Sequence, residues 1–586
     1  MPLFRDRADL ILCGALLFCV FMMVIPYLCG FALFPDEFGY WETSAKLLHY
    51  DWSEVSAMGQ AYSAGYTLIL FPLYALIDDP VTAYRAAIGV NFLLLFLGLL
   101  LIERILRAQF PEADRKRTAL LAGAAILYPT WLFYAQMTLT EIVVLVCFLL
   151  LCRVYQRMIL EKRPVLALPA LLIAGYLVFL HRRTVGIALA LVLCLVIDRL
   201  TGRKPKTERG PKAERKLRIT VGIAIFAIIV IAGVIVHLLP AQDPRVSSHT
   251  LAGQVHKLKH LYSLQGAADF AVSVCGKLFY LAASTGCLFL WGITEVFDRA
   301  RGKRGERKAP DLFCRFLFLA ALFTFLVSAV FMVTDNRGDT IIYGRYNETM
   351  VPLMLCFGIM RMLETDKKEL KVRSLLFAGV LVFTTAVAYA GILSKPHVTS
   401  IGGHFIVGLS YWLKDEGADA LVDIPRFFLQ GGVYGLIVTG LILALMLLIR
   451  KCRGASILLL LLIFPQILLG LQAGDHYIRF YNRINLGDQV IAYTILAERE
   501  MSEEAKNRPV ICVDRGEHTF ADTIQFYLRD VPVHVVHDLH EAEKDSFLLV
   551  YSDDVWEDEK EFCAGYGERE EYPRFRFYYN TTEMMP

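Results

Sequence analysis

Two adjacent carboxylates, Asp36 and Glu37, stand in the stretch FALFPDEFGYWETSAKLL, at the end of an apolar run and just after a proline. A carboxylate held at a membrane surface can act as a general base if a like charge or partial burial lifts its pKa toward neutrality. The plainer reading is that the acids mark where a helix leaves the bilayer. Glu141, in YAQMTLTEIVVL, is a third acid at a span end. Thr138-x-x-Glu141 also fits a capping box, in which the glutamate serves only backbone donors. Arginines supply the complementary chemistry. Arg182 and Arg183 follow His181 in FLHRRTVGIAL, and Arg345 precedes Tyr346 in IYGRYNETMVPL. A guanidinium fork matches a phosphate bidentately; a snorkelling anchor or a passive lipid contact is the alternative.

Weaker candidates lie elsewhere. His256, Lys257, Lys259 and His260 form a basic stripe at helical spacing. His534, His537 and His540 repeat every third residue, but in a strand such neighbours point to opposite faces, so no metal site is expected. Asn347 and Asn580 head glycosylation sequons. The thirteen cysteines sit mostly inside apolar runs and show neither metal nor disulfide spacing; Cys512 and Cys563 are the pair in the polar tail.

The elements that must position these groups are membrane helices. The chain has 586 residues, 56% of them hydrophobic. Many runs approach the roughly 20 apolar residues needed to cross a bilayer as helix. The spacing predicts a polytopic α-helical membrane protein with about thirteen spans, over 9–33, 82–106, 117–135, 138–160, 164–180, 183–199, 217–239, 271–297, 312–334, 343–363, 373–393, 425–449 and 455–471. The run at 64–77 is too short to span and reads as a re-entrant or interfacial helix. The first run is too long for a signal peptide and reads as a retained anchor.

Alternate turns carry the basic residues: Arg107, Arg115 and Lys116; Lys162 and Arg163; Lys367, Lys368 and Lys371; Arg450, Lys451 and Arg453. By the positive-inside rule these turns are cytoplasmic. The N-terminus is then inside, and Asp36, the loops 35–63, 240–270 and 394–424, and the C-terminal tail are outside. The reading is a multi-pass protein of the plasma (inner) membrane in two parts: a transmembrane domain, 1–471, and an extracytoplasmic α/β domain, 472–586. That tail has 12 basic and 24 acidic residues, a net charge of −12 within a chain of +3. PVICVD and FLLVYSD read as strands and FADTIQFYLRD between them as a helix. The basic charge belongs at a lipid surface, so no nucleic-acid partner is expected.

Several stretches together resemble one family. PDEFGYWETSAKLL, YSAGYTLILFPLYALI and TAYRAAIGVNFLLLFLGLLL, followed by YPTWLFYAQMTLTEIVVL and GRYNETMVPL, are similar to the GT-C polyprenyl-phosphate-sugar glycosyltransferases, of the protein O-mannosyltransferase and lipid A aminoarabinose transferase type. The resemblance covers about 35–200 most clearly and weakens to about 360. It implies a GT-C-like membrane domain that transfers a sugar from a polyprenyl-phosphate donor to a hydroxyl of a lipid, glycan or protein acceptor, with inversion, on the outer face. It implies Asp36 as catalytic base or acceptor-orienting group, Glu37 as its acidic neighbour and Glu141 as the second active-site acid. It also implies phosphate contacts from Arg182 or Arg183 and from Arg345, with Tyr346 beside it. The adjacent acids depart from the Asp-x-Asp pattern of the oligosaccharyltransferase branch, which puts a metal requirement in doubt: no cofactor is assigned, and a divalent metal stays open but is not indicated. Two rivals fit the same charges: a lipid-linked glycan flippase, and a glycan polymerase or ligase using a lipid-diphosphate donor.

Overall fold

A computed structural model describes residues 8–33, 36–55, 64–201, 261–302, 309–331, 339–394, 403–410, 424–449, 455–516 and 521–581. The expected span at 217–239 and the basic stripe at 256–260 lie outside these residues. Among the described residues, eight helices are long and apolar enough to cross a membrane: Ala8–Tyr27, Pro80–Gln109, Glu141–Leu160, Leu264–Ser284, Pro310–Phe331, Lys367–Leu393, Pro425–Ile449 and Leu459–Met501. The fold is therefore a helical membrane body with a small C-terminal sheet.

Among the described residues the expected count of thirteen is not confirmed, and three of the expected runs contain breaks that apolar run length does not reveal. The run 117–135 divides into helices Arg115–Ile126 and Pro129–Tyr134, with Pro129 opening the second. The run 271–297 breaks at Gly286 and Cys287, both with left-handed backbone. The run 343–363 opens with two 3-10 turns, leaving an α-helix of only Val351–Glu364. The first span ends at Tyr27, earlier than expected, and residues 28–33 continue as non-helical chain. The short run is a ten-residue helix, Thr67–Leu76.

Helix Pro80–Gln109 is the long strut beside the acids. Asp79 caps it by accepting from the Thr82 amide at 2.8 Å, and Pro80 occupies a first-turn position that needs no N–H donor. Its 30 residues span about 45 Å. Glycines allow the tightest helix crossing. A Cβ on Gly292 would fall 2.0 Å from the Met354 carbonyl, and one on Gly358 2.3 Å from that of Leu288. Helices Leu288–Ala300 and Val351–Glu364 thus meet backbone to backbone, as small residues permit in membranes.

The expected domain boundary at 472 falls inside a continuous rod: Ala455–Gly474 passes through a π turn, Asp475–Arg479, into Phe480–Met501. The sheet begins only at β1, Val510–Val513, followed by β2 (Val533–Val536), β3 (Phe547–Tyr551), β4 (Glu568–Glu571) and β5 (Phe575–Tyr579). The strand order is β2-β1-β3-β5-β4, with β1 parallel to β2 and β3, and β5 antiparallel to β3 and β4. The strands expected at PVICVD and FLLVYSD and the helix between them, Ala521–Leu528, are present. The edge strand β4 is Glu-Arg-Glu-Glu, a charged rim that discourages pairing with another chain. Val510, Cys512, Phe547 and Leu549 join the main apolar core, whereas Ile511, Leu548, Val550 and Cys563 form a separate one. Cys512 and Cys563 are accordingly both free.

The helix Ala521–Leu528 locks the sheet to the membrane body. Phe526 stacks on Tyr74 and meets Trp41 and Phe31 edge-on or tilted. Arg529, with a left-handed backbone, donates to the Tyr74, Ile77 and Asp78 carbonyls at 2.6–2.7 Å. These carbonyls close the C-terminal end of helix Thr67–Leu76, where a cation is favoured. Trp52 returns a hydrogen bond to the Arg529 carbonyl at 2.7 Å. Arg529→Ala is expected to lower the unfolding free energy by about 2–4 kcal/mol, since hydrogen bonds from a charged donor are lost and carbonyls are left unsatisfied. Thermal unfolding of the detergent-solubilised protein measures this; an unchanged midpoint would contradict the keying role.

Candidate active site

Asp36 and Glu37 open helix Asp36–Leu47 and have different surroundings. Glu37 is fully buried. One of its oxygens accepts the Ala32 and Leu33 amides, at 2.7 and 3.0 Å. The other accepts the Tyr84 hydroxyl and both the amide and hydroxyl of Thr138, at 2.7–2.8 Å. Five donors from three other segments therefore converge on this carboxylate. Burial pushes its pKa up, while the backbone donors of Thr138, Ala32 and Leu33 and the Thr138 hydroxyl pull it down. Glu37 is a junction between the 28–33 loop, the long strut and the 137–140 turn.

The loop before Asp36 is held by the tail as well. Asn482 accepts from the Cys29 and Gly30 amides, and Asn485 donates to the Phe31 carbonyl. Tyr527 donates to the Cys29 carbonyl, and Arg85 to those of Leu28 and Pro26. Non-helical backbone at this depth requires such partners, because every buried amide and carbonyl must be satisfied. The sequence signal for them was small. Asn482 and Asn485 are three residues apart in YNRINLGDQV, on one helix face, within the expected C-terminal domain 472–586.

Asp36 faces a chain of opposite charges. Arg345 donates through Nη1 to Asp36 at 2.7 Å and through Nε to Glu141 at 2.5 Å. Arg183 donates to the same Glu141 oxygen at 2.9 Å. The order is Asp36–Arg345–Glu141–Arg183, two carboxylates against two guanidiniums. Both arginine side chains are 4% exposed and Glu141 2%, whereas Asp36 is 23% exposed. Glu141 Oε2 and Arg183 Nη1 are buried without a hydrogen-bond partner, so donor and acceptor capacity remains within the cluster.

The capping role expected for Glu141 is not observed. Helix Glu141–Leu160 starts after Thr140 without a side-chain cap, and the Thr138 hydroxyl is engaged with Glu37 and Trp41 instead. The two arginines take the glutamate because a buried carboxylate is better satisfied by two cations than by one amide. Arg182 points the other way and is exposed. Tyr346 stacks beneath Arg183, the guanidinium carbon lying 4.9 Å from its ring centre, and meets His181 and Tyr343 edge-on.

Arg345 reaches the acids because its own segment is tightly held. Tyr343 has φ +29, an uncommon value for a residue with a side chain, next to the turn that carries Arg345. Tyr343 stacks on Phe405 at 4.5 Å. Three residues after Arg345, the buried Glu348 accepts from Thr130 at 3.0 Å and from Tyr280. Tyr280 in turn accepts from the Gly408 amide at 2.9 Å. The buried Lys277 donates to the Thr340 and Ile341 carbonyls. Asn347, the expected sequon, is buried and bonded to Ser328.

The histidines of the tail do not converge. His534 contacts Glu54, His537 the Asp514 carbonyl, and His540 Asp538 and Asp558. Among the described residues no group of three His, Cys, Asp or Glu is placed to hold a metal ion.

In sequence the chain matches no protein-family model and no curated protein. In structure it is similar to ArnT from Cupriavidus metallidurans bound to undecaprenyl phosphate, with a TM-score of 0.52 and 16% identity over 98% of this chain and 99% of that one. ArnT from the same organism in the apo state aligns at a TM-score of 0.49 with 14% identity over 97% of each chain. The match to the first spans helical body and C-terminal sheet together, and the chain has the ArnT fold.

Proposed function

We propose that the chain is an integral-membrane glycosyltransferase that moves a sugar from a polyprenyl-phosphate donor to a hydroxyl acceptor at the Asp36 face, the outer face of the membrane. The observation that carries this reading is the division of exposure in the ion cluster. Asp36 is the one acid of Asp36, Glu37 and Glu141 with appreciable access, while buried guanidiniums stand directly behind it. The shared fold supports a lipid-phosphate donor, since the similar structure holds undecaprenyl phosphate.

In this mechanism Asp36 accepts the proton of the acceptor hydroxyl as its oxygen attacks the anomeric carbon with inversion. The bond from that carbon to the phosphate oxygen breaks, and the lipid phosphate leaves as an anion. Leaving-group protonation is then not required, and stabilisation of the developing charge becomes the main demand. Arg183, with one buried nitrogen unpartnered, is placed in the cluster to meet it. Arg345 orients Asp36 through its 2.7 Å hydrogen bond. Glu141 tethers both arginines through one shared oxygen, and Glu37 fixes the loop. The roles of Arg182 and Tyr346 differ: the exposed Arg182 contacts the donor head group only from the rim, and Tyr346 sets the Arg183 plane.

Two outcomes separate these roles. In proteoliposomes supplied with undecaprenyl-phosphate-linked sugars, Asp36→Asn is expected to lower turnover by about 10²–10⁴-fold, the usual contribution of a general base, with donor binding retained. Turnover equal to wild type would remove Asp36 from the chemistry. Glu37→Ala is expected to act on stability instead, lowering the unfolding free energy by about 3 kcal/mol or more because buried donors lose their acceptor. A normal unfolding midpoint with lost turnover would reassign Glu37 to the reaction.

A further inference from the structure

The end of the helical body away from the acids carries a second charged feature. Tyr84 touches Glu37 near the start of helix Pro80–Gln109, and Arg107 lies near its other end. They are about two dozen residues apart, or about 35 Å along the axis, close to the thickness of a bilayer core. There a cleft of about 510 Å³ is lined by Arg104, Arg107, Arg115 and Arg153 around Phe110 and Pro111, with no acid in its lining. Its four guanidiniums come from three helices, Pro80–Gln109, Arg115–Ile126 and Glu141–Leu160. The hydrogen bond of Arg153 goes to the neutral Gln156, and the Arg107–Glu103 contact is long, at 3.5 Å. Arg299, which also lies over Phe110, 4.4 Å from the ring centre, is paired with Glu295 at 2.6 Å and is not counted among these donors. Such a concentration of fork-shaped donors is suited to phosphate oxygens.

The surfaces leading to the cleft indicate what carries the phosphate. On helix Pro80–Gln109 the exposed residues Leu93, Phe96 and Leu97 run at helical spacing into exposed Arg104 and Arg107. On helix Glu141–Leu160 the exposed Leu150 leads to Arg153. Both helices are long and apolar enough to cross the membrane, so these apolar stripes face acyl chains. Each stripe ends on an arginine of the same cleft. A free phosphate would engage the arginines but have no use for the stripes; an amphiphile fits both. Basic pockets between helix ends are suited to anionic lipid head groups.

We propose that this cleft binds the phosphate head group of an anionic phospholipid from the leaflet opposite the Asp36 site, its chains lying along the Leu93–Leu97 and Leu150 stripes. The site is independent of the transfer reaction. Its occupancy ties the far ends of the two helices that also carry Glu141 and the Tyr84 contact to Glu37.

The test uses the full-length protein in phosphatidylcholine nanodiscs doped with increasing phosphatidylglycerol, following the unfolding midpoint. Wild type is expected to gain stability with phosphatidylglycerol. The Arg104→Gln/Arg153→Gln protein is expected to need at least about tenfold more of it for the same gain, given two lost juxtamembrane charges. Arg157→Gln/Arg163→Gln removes the same charge outside the cleft, at residues paired with Glu161, and is expected to respond as wild type. Equal responses from the two double variants would reduce the effect to general surface charge and overturn the site. An equal gain from inorganic phosphate would make it a free-anion site and overturn the lipid assignment. Should the double variant fail to fold, the exposed single change Arg104→Gln decides: a several-fold weaker response supports the site, and a wild-type response overturns it.

Discussion

Arg345 bridges Asp36 and Glu141 inside a nearly dry cluster, and much of the surrounding structure is arranged to make that bridge tolerable. A guanidinium and a carboxylate removed from water each lose several kcal/mol of solvation, and mutual attraction compensates only with good geometry and satisfied neighbours. The cluster meets the first condition through balance, with Asp36 and Glu141 against Arg345 and Arg183. It meets the second incompletely, leaving one oxygen of Glu141 and one nitrogen of Arg183 unpartnered. Buried charged groups with capacity left over are costly to hold in place. That cost is consistent with the many structural hydrogen bonds that surround the cluster.

Those bonds come from distant parts of the chain. Asp36 and Arg345 are 309 residues apart, and Glu141 and Arg345 204. Such separation makes precise placement depend on packing, not on local propensity. Glu37 fastens the loop that leads to Asp36, while Glu348, Tyr280 and Lys277 fasten the turn that carries Arg345. The tail contributes Asn482, Asn485, Tyr527 and Arg529 from helices that flank or follow the membrane rod. The sheet is thereby part of the mechanical support of the acid loop, whatever else it binds. A side chain at a reacting centre must be held within about half an ångström, and the supporting shell does this work.

The sequence revealed the parts that depend on composition and order. Run length identified membrane helices, and alternation with bounding polar residues located β1, β3 and the helix Ala521–Leu528. It singled out Asp36, Glu141, Arg183, Arg345 and Tyr346 as charged or aromatic groups at span ends, and these are now in one cluster. It did not show that the arginines pair with the acids, since side-chain partners across hundreds of residues leave no local trace. The breaks at Gly286–Cys287 and Leu127–Tyr128 were hidden because run length outweighed the single Gly286 and Pro129 that mark them. Falling hydropathy after residue 471 reads as a leaving of the membrane, yet the helix itself continues to Met501. Arg182 and Arg183 were indistinguishable by type; only the 3-10 turn Arg182–Thr184 decides that one faces outward and the other inward.

The adjacent acids carry the most instructive consequence of helix geometry. Successive residues on a helix point about 100° apart. Two neighbouring carboxylates at a helix start therefore face different surroundings and are poorly placed to share a proton as a dyad. Glu37 turns to the backbone donors of the loop and to Thr138, and Asp36 turns to Arg345 and the accessible side. The two adjacent acids thus serve separate sets of partners. Because the two residues share one helical turn, any force that moves Glu37 moves Asp36 with it. The junction at Glu37 thus transmits the rigidity of the 28–33 loop, the long strut and the 137–140 turn directly to Asp36, the more accessible of the two acids.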